Sequence, residues 1–253
     1  MTNIILNGCN GKMGRVITRI AEADPDCTIV AGIDINDYCE NSYPVYTNAE
    51  ECTVKADVIV DFSHPSAFFG LLDYAKDTKT PLIAATTGLS DEQRNALSDA
   101  SQQIPVFFSA NMSLGINLLT ELAKKAAALL EGSFDIEILE KHHNQKIDAP
   151  SGTALAIADA ISGELTTVPE YVYDRHSVRK KRSANEIGIH SIRGGTIVGE
   201  HEVIFAGQDE VISLKHQAAS KEVFAVGAIR AAKFMKGKPN GMYSMTDLIG
   251  EIL

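Results

Sequence analysis

The residues with the most chemistry stand in one run, Glu140-Lys141-His142-His143-Asn144-Gln145-Lys146-Ile147-Asp148-Ala149-Pro150-Ser151-Gly152-Thr153. Histidine and lysine are side chains that hand protons to a reacting group. Ahead of them, residues 134–139 (Phe-Asp-Ile-Glu-Ile-Leu) have strand character, and residues 154–161 (Ala-Leu-Ala-Ile-Ala-Asp-Ala-Ile) read as a helix. A Ser-Gly-Thr turn at a helix N-terminus offers backbone N–H groups to an anion. The run therefore predicts a site that holds an anion and passes it a proton. Neighbouring strand residues point to opposite faces, so one of His142 and His143 is as readily a buried structural group. No metal is expected, because neither the cysteines nor the other histidines have ligand spacing.

The elements before this run supply a second function. Residues 3–7 (Asn-Ile-Ile-Leu-Asn) read as a buried strand, Gly8-Cys9-Asn10-Gly11-Lys12-Met13-Gly14 as a tight turn, and residues 16–23 as a helix. Strand, glycine turn and helix begin a dinucleotide-binding unit, although Cys9 breaks the usual Gly-x-Gly-x-x-Gly register. A second strand, residues 28–33, ends at Asp34, and an acid about 20 positions past the turn can accept the ribose hydroxyls. Ile35, Asn36 and Asp37 add no cation for a 2′-phosphate, which predicts NADH over NADPH. Further strands, 57–62, 81–85 and 105–108, alternate with helices and predict a parallel sheet covered on both faces. A serine, Ser63 or Ser66, is the expected cap of the helix at 67–76, and Ser90 that of the next. The polar turns at 8–13, 34, 85–88 and 109–112 all follow strand ends, where ligands bind on such a sheet.

Beyond residue 113 the pattern changes. Residues 114–130 predict a helix with Leu118, Leu119, Leu122, Ala126 and Leu129 near one face. Strands at 187–193, 200–207 and 211–216, joined by tight turns, predict antiparallel neighbours and an open sheet of four strands. The basic stretch with Arg175, His176, Arg179, Lys180, Lys181 and Arg182 reads either as a solvated loop or as a mobile attractor of anions. The expected organisation is a Rossmann-type domain over 1–113, an α+β domain over 114–220, and a C-terminal segment over 221–253 that returns to the first.

Composition narrows the class. Fractions of 45% hydrophobic and 22% charged residues in 253 are those of a globular protein with a real core. A net charge of −10 argues against nucleic acid and anionic membranes as partners. The four dispersed cysteines, and an N-terminus without a signal-like segment, make the cytoplasm the expected compartment.

Taken with the glycine turn, Asp34, Thr86-Thr87-Gly88 and Ser109-Ala110-Asn111, the run through Ala154 closely resembles the 4-hydroxy-tetrahydrodipicolinate (dihydrodipicolinate) reductases. The stretch Arg193-Gly194-Gly195-Thr196-Ile197-Val198-Gly199-Glu200-His201 also looks like that family. The resemblance runs end to end. It implies an NAD(P)H-dependent reductase of lysine and diaminopimelate synthesis, working on a cyclic imine dicarboxylate, as a homotetramer joined through the α+β domain. On the matching positions, His142 is the proton donor/acceptor and Lys146 the proton donor. His143, Gly152 and Thr153 are substrate contacts, with Ser151 adjoining them. Gly8, Cys9, Asn10, Gly11, Lys12, Met13, Asp34, Ala85, Thr86, Thr87, Ser109, Ala110, Asn111 and Met112 are nucleotide contacts. Two departures stand out: Ile35 where some members carry a basic residue, and Ala85 where a glycine is frequent. Competing readings are another NAD-dependent amino-acid or semialdehyde dehydrogenase, and a silent nucleotide sensor. The first should lack the His-His-x-x-Lys run, and the second should have lost His142 or Lys146.

Overall fold

The computed structural model describes residues 1–37 and 39–251; positions 252 and 253 of the expected C-terminal segment lie outside the described residues. In chain order the elements are β1 (Thr2–Asn7), α1 (Lys12–Glu22), β2 (Cys27–Ile33), β3 (Val45–Tyr46), β4 (Val58–Asp61), α2 (Phe68–Thr78), β5 (Leu82–Ala84), α3 (Asp91–Ala100) and β6 (Pro105–Phe108). There follow α4 (Leu114–Leu130), β7 (Asp135–His142), α5 (Gly152–Ser162), β8 (Glu170–Val172), β9 (Glu186–Arg193), β10 (Gly199–Ala206) and β11 (Val211–Ala218). The last are α6 (Glu222–Met235), β12 (Gly241–Tyr243) and α7 (Met245–Gly250). Two compact units emerge, Met1–Leu114 with Glu222–Leu253, and Gly115–Lys221. Among the described residues no helix is long and apolar enough to cross a membrane.

The first unit is a parallel sheet in the order β12-β6-β5-β4-β1-β2-β3. It is a Rossmann-type arrangement. The chain starts at β1, moves out to β3, then reverses through β4. Between β1 and β4 lies the switch point, where a crevice opens at the strand ends. Strand residues alternate between two cores. Ile4, Leu6, Val58 and Val60 pack with α1, α6 and α7, whereas Ile5, Ile59, Leu82 and Val106 pack with α2 and α3. The short strands β3 and β12, too brief to carry a periodic signal, extend the sheet at each edge. Neither serine expected to cap α2 does so. The His64 side chain instead accepts from Ser66 N–H to cap a 3-10 turn, Pro65–Ala67, that leads into the helix. Ser90 caps α3 as expected, in a capping box with Gln93.

The second unit is a mixed sheet in the order β11-β10-β7-β9-β8. Its five strands exceed the expected four because β8 adds to β9. A larger difference concerns β9 and β10, which are joined by Gly194-Gly195 yet are not neighbours. β7 lies between them, parallel to β9 and antiparallel to β10. The glycine turn therefore passes over the end of β7. Gly194 N–H donates to the His142 carbonyl at 2.9 Å, and Asn144 N–H to the Gly195 carbonyl at 3.2 Å. Helices α4 and α5 cover one sheet face through Leu119, Ala123, Ala127, Ala154, Ile157 and Ile161. Of the α4 face read in sequence, Leu119 and Ala126 do pack on the sheet, but Leu118, Leu122 and Leu129 stay exposed and Ala123 and Ala127 take their place. On the opposite face the two ends of the basic stretch are tied down, while His176, Arg179, Lys180 and Lys181 between them are exposed. Arg175 bridges Glu137 and Glu186 at 2.6 and 2.5 Å, and Arg182 bridges Asp135 and Glu137 at 2.7 and 3.0 Å.

One close approach in the first unit decides whether α6 can dock. A Cβ on Gly227 would stand 1.7 Å from the Met112 carbonyl oxygen, inside the turn that follows β6. Gly227→Ala is expected to cost about 2–3 kcal/mol as overpacking, measured as a lowered midpoint in urea unfolding; an unchanged midpoint would contradict this packing.

Candidate active site

At the crevice of the first unit, Gly8 turns the chain at φ +81°, a conformation open mainly to glycine. A Cβ on Gly14 would meet the Gly8 carbonyl oxygen at 2.1 Å, so its absence lets α1 press on the turn. Gly11 is the N-cap of α1 and brings no side-chain cap, which leaves first-turn N–H groups without a side-chain partner and open to an anion. Asp34 closes the turn: its carboxylate accepts from Asn10 N–H at 2.9 Å and from Asn36 N–H at 3.0 Å. A cleft of about 510 Å³ runs along Gly8, Asn10, Gly11 and Asp34 and on past Thr47, Phe62, His64 and Gly70. Its volume, its open helix N-terminus and its carboxylate fit a dinucleotide.

The expected nucleotide residues fall into two groups. Gly8, Asn10, Gly11 and Asp34 line the cleft. Cys9 is fully buried, with its sulfur packed over Gly32, so only its backbone is available; burial raises its thiol to about 11. Lys12 is exposed, and Met13 and Ala85 pack partly into the core. The Thr86 hydroxyl is committed to structure. It donates to Asp61 at 2.7 Å and accepts from Ser63 N–H at 3.1 Å. Asn7 also donates to Asp61, at 2.8 Å, so a buried carboxylate ties together the ends of β1, β4 and β5. Thr87 and Ala110 are exposed. Ser109 bonds the Asn111 carbonyl at 3.1 Å, Asn111 accepts from Ser113 N–H at 2.9 Å, and Met112 is buried. Asn7, Asp61 and His64 have no role in the sequence reading, and Ser63 only that of a helix cap, although polar types at the end of an apolar strand are a usable signal.

The second unit builds its site on the covered sheet face, beyond the end of the helices. Register places His216, His201, Glu140 and Ser191 side by side across β11, β10, β7 and β9. His142 and Arg193 form the adjacent row. Glu140 is fully buried, and its carboxylate accepts four hydrogen bonds from Arg193, Ser151 and His142, with the Ser191 side chain a further donor. Oε1 takes the Arg193 guanidinium at 2.6 Å and Ser151 N–H at 3.1 Å; Oε2 takes Arg193 at 2.8 Å and His142 Nδ1 at 2.6 Å. Burial pushes this carboxyl up, but the bonds from Arg193, Ser191 and His142 outweigh it and hold it down at about 2. An ionised acceptor requires the hydrogen on His142 Nδ1. His142 Nε2 then faces Gly199, where a Cβ would lie only 3.1 Å away.

Other groups gather around this pair. Ser151 caps α5, accepting from Ala154 N–H at 3.2 Å, and its Oγ lies 3.1 Å from His201 Nε2. Gly152 and Thr153 form the first turn of α5. Lys146 Nζ pairs with Asp148 at 2.8 Å, and Arg193 holds the Asp148 carbonyl at 2.7 Å. His143 follows the end of β7 and is half-buried. The buried structural histidine is thus neither member of the His-His pair but His201, 5.3 Å from the His142 ring in an edge-on contact. Burial, with His142 beside it, lowers His201 to about 4. Glu140, Arg193 and His201 had been quoted in sequence without a role. The pairing of β7 with both β9 and β10 brings them together.

A doubly wound parallel sheet with a phosphate-ready glycine turn and a ribose-ready acid, in a chain that also carries a buried histidine–carboxylate pair, defines a dinucleotide-dependent oxidoreductase. Family models narrow this. The model for "Dihydrodipicolinate reductase, N-terminus" matches residues 2–112, and "Dihydrodipicolinate reductase, C-terminus" matches residues 115–249. The chain belongs to the dihydrodipicolinate reductase family. Relatives called 4-hydroxy-tetrahydrodipicolinate reductase include those of Caldanaerobacter subterraneus subsp. tengcongensis, 53% identical over 98% of both chains, and Clostridium tetani, 52% identical over 97% of this chain and 96% of that one. Among solved structures, the dipicolinate-bound dihydrodipicolinate reductase of Paenisporosarcina sp. TG-14 superposes with a TM-score of 0.80 at 24% identity, over 96% of this chain and 97% of that one.

Two of the shifted groups, His201 and Glu140, contribute to the acid sensitivity of the fold. His201 takes a proton in the unfolded chain below about pH 6.5 but in the fold only near 4, so its contribution is complete above 6.5 and is lost as pH falls towards 4. Glu140, depressed from 4.5 to about 2, adds a second loss between those values. His201→Gln is expected to remove most of the first loss, read as the difference in urea midpoint between pH 7.5 and pH 5. Equal losses in both proteins would rule out His201 as the group responsible.

Proposed function

We propose that the chain reduces 4-hydroxy-tetrahydrodipicolinate to tetrahydrodipicolinate in lysine and diaminopimelate synthesis, with NADH as the preferred reductant. The observation that carries this reading is the site at the end of β7. There a histidine oriented by a buried carboxylate, a lysine and the N-terminus of α5 stand within one short run. A cyclic imine with two carboxylates is the substrate class such a set fits. The dipicolinate in the Paenisporosarcina relative is a dicarboxylate of the same class.

Loss of the 4-hydroxyl as water would leave the imine conjugated, and a nicotinamide held in the first unit would supply a hydride to the conjugated carbon. The residues of the chain do the remainder. His143, Lys146 and the N–H groups of the Ser151-Gly152-Thr153 turn bind the substrate carboxylates. His142 or Lys146 then delivers the proton that the electron-rich nitrogen–carbon system needs after hydride addition. Lys146 starts from an ion pair with Asp148, so a substrate carboxylate competes with an internal one for that ammonium. In the first unit, Gly8 to Met13 meet the pyrophosphate, Asp34 the ribose, and the turns at 85–87 and 109–112 the nicotinamide side. Asp34 and the exposed Asp37, with Ile35 and Asn36 between them, disfavour a 2′-phosphate by charge. Arg15 is turned to the Asn10 carbonyl at 3.1 Å and to Cys39 at 3.3 Å. The open, half-exposed edge strand β11 supports assembly of the second unit into a homotetramer, and the family's biosynthetic role supports a cytoplasmic setting.

The deciding assay follows NADH oxidation with substrate freshly condensed from pyruvate and aspartate semialdehyde; folded protein without turnover would overturn the assignment. In the same assay Lys146→Ala is expected to lower kcat by about 100-fold, while Thr153→Ala raises mainly KM. The ratio of kcat/KM for NADH to that for NADPH is expected to exceed one, and a ratio at or below one would refute the preference.

A further inference from the structure

The proton chemistry at the end of β7 leaves one group without an assigned task. Glu140 reaches no solvent, and a carboxylate kept ionised out of water is stable only when every oxygen is answered by donors. Donors meet both oxygens: Arg193 and Ser151 N–H on Oε1, Arg193 and His142 Nδ1 on Oε2, with the Ser191 side chain a further donor to the carboxylate. Its donors come from three elements, β7, β9 and the N-cap of α5. The other side chains of the region are His201 from β10, Lys146 and Asp148 from the loop after β7, and His216 from β11.

We infer that Glu140 is a positioning residue for His142, holding the imidazole in its Nδ1–H form so that Nε2 is the nitrogen that exchanges the substrate proton. The inference rests on the reading of His142 as a proton-transfer group. Nδ1 keeps its hydrogen whether the ring is neutral or charged, because the acceptor facing it is an anion. Only Nε2 changes state, and it points over Gly199, where no side chain intrudes. The same carboxylate anchors Arg193 and the first residue ahead of α5, so the ring and the anion-binding turn are set from one point. Glutamine in place of Glu140 has one acceptor and one donor. With its NH2 on the His142 side, it opposes one Arg193 N–H, and the ring must accept at Nδ1 and carries its hydrogen on Nε2 instead. With its NH2 on the other side, it opposes Arg193 and Ser151 N–H.

The test uses 15N-histidine-labelled full-length protein, with the His142 signals assigned by comparison with His142→Asn. At pH 8 the unsubstituted protein is expected to show Nδ1 protonated and Nε2 unprotonated. An Nε2–H ring in the unsubstituted protein overturns the inference without any variant. In Glu140→Gln the Nδ1–H form is expected to give way to Nε2–H or a mixture, with kcat down about 100-fold or more and a smaller change in KM. Glu140→Asp, which keeps the charge and both acceptors, is expected to restore the tautomer and part of kcat. A folded Glu140→Gln protein that keeps the Nδ1–H ring and normal kcat overturns the inference. If His142→Asn itself retains kcat, the proton-transfer reading of His142 fails, and the inference about the exchanging nitrogen fails with it; the tautomer spectra still report separately whether Glu140 orients the ring.

Discussion

The second unit depends on an anion that has been taken out of water. Glu140 sits at full burial between two strands, and the cost of stripping its hydration is offset only by donors that arrive from separate elements. Arg193 must come from β9, Ser151 N–H from the start of α5, and His142 from two residues further along β7. None of these can drift without exposing a bare charge to a low-dielectric interior. The interaction therefore fixes the register of the β7–β9 pair, the start of α5 and the pose of the histidine together. A ring held this way has little orientational freedom left to lose, which is how positioning contributes to rate wherever such a ring takes part in proton transfer.

The first unit uses the same device. Asp61, 1% exposed, gathers Asn7, Ser63 and Thr86 at the ends of three adjacent strands. Those strand ends carry the turns that frame the crevice. In both units a buried carboxylate ties together the segments that carry the candidate site residues. The apolar cores supply most of the driving force for folding, but they are non-directional and would tolerate small shifts. The buried acids add the directionality.

Much of this was legible along the chain. The alternation of short apolar runs with helical ones, and polar turns always after a strand, set out the parallel sheet and its ligand edge. The run from His142 to Thr153 is local, so its chemistry could be read without folding it. Errors fell where a choice depended on partners distant in sequence. The Gly194-Gly195 turn looked like a hairpin because tight turns usually join neighbours; here β7 intervenes, and nothing within residues 187–206 encodes that. Helix α4 is apolar on several sides, so periodicity could not separate Leu119, Ala123 and Ala127, which meet the sheet, from Leu118, Leu122 and Leu129, which do not. Arg175 and Arg182 looked like free cations until β7 and β9 supplied Glu137 and Glu186.

The sequence alone determined the class of chemistry, because nucleotide turns and the proton-bearing run are each contiguous and their residue types have few other uses in that order. It also determined the family, whose signatures lie in the same runs. Only the tertiary structure decided which residues support that chemistry. Glu140, Arg193 and His201 stand more than fifty positions apart at the extremes, and they meet because β7 pairs with β9 on one side and β10 on the other. Strand pairing is a long-range choice made by burying one face of the sheet, and the cross-strand row it creates has no counterpart in linear spacing.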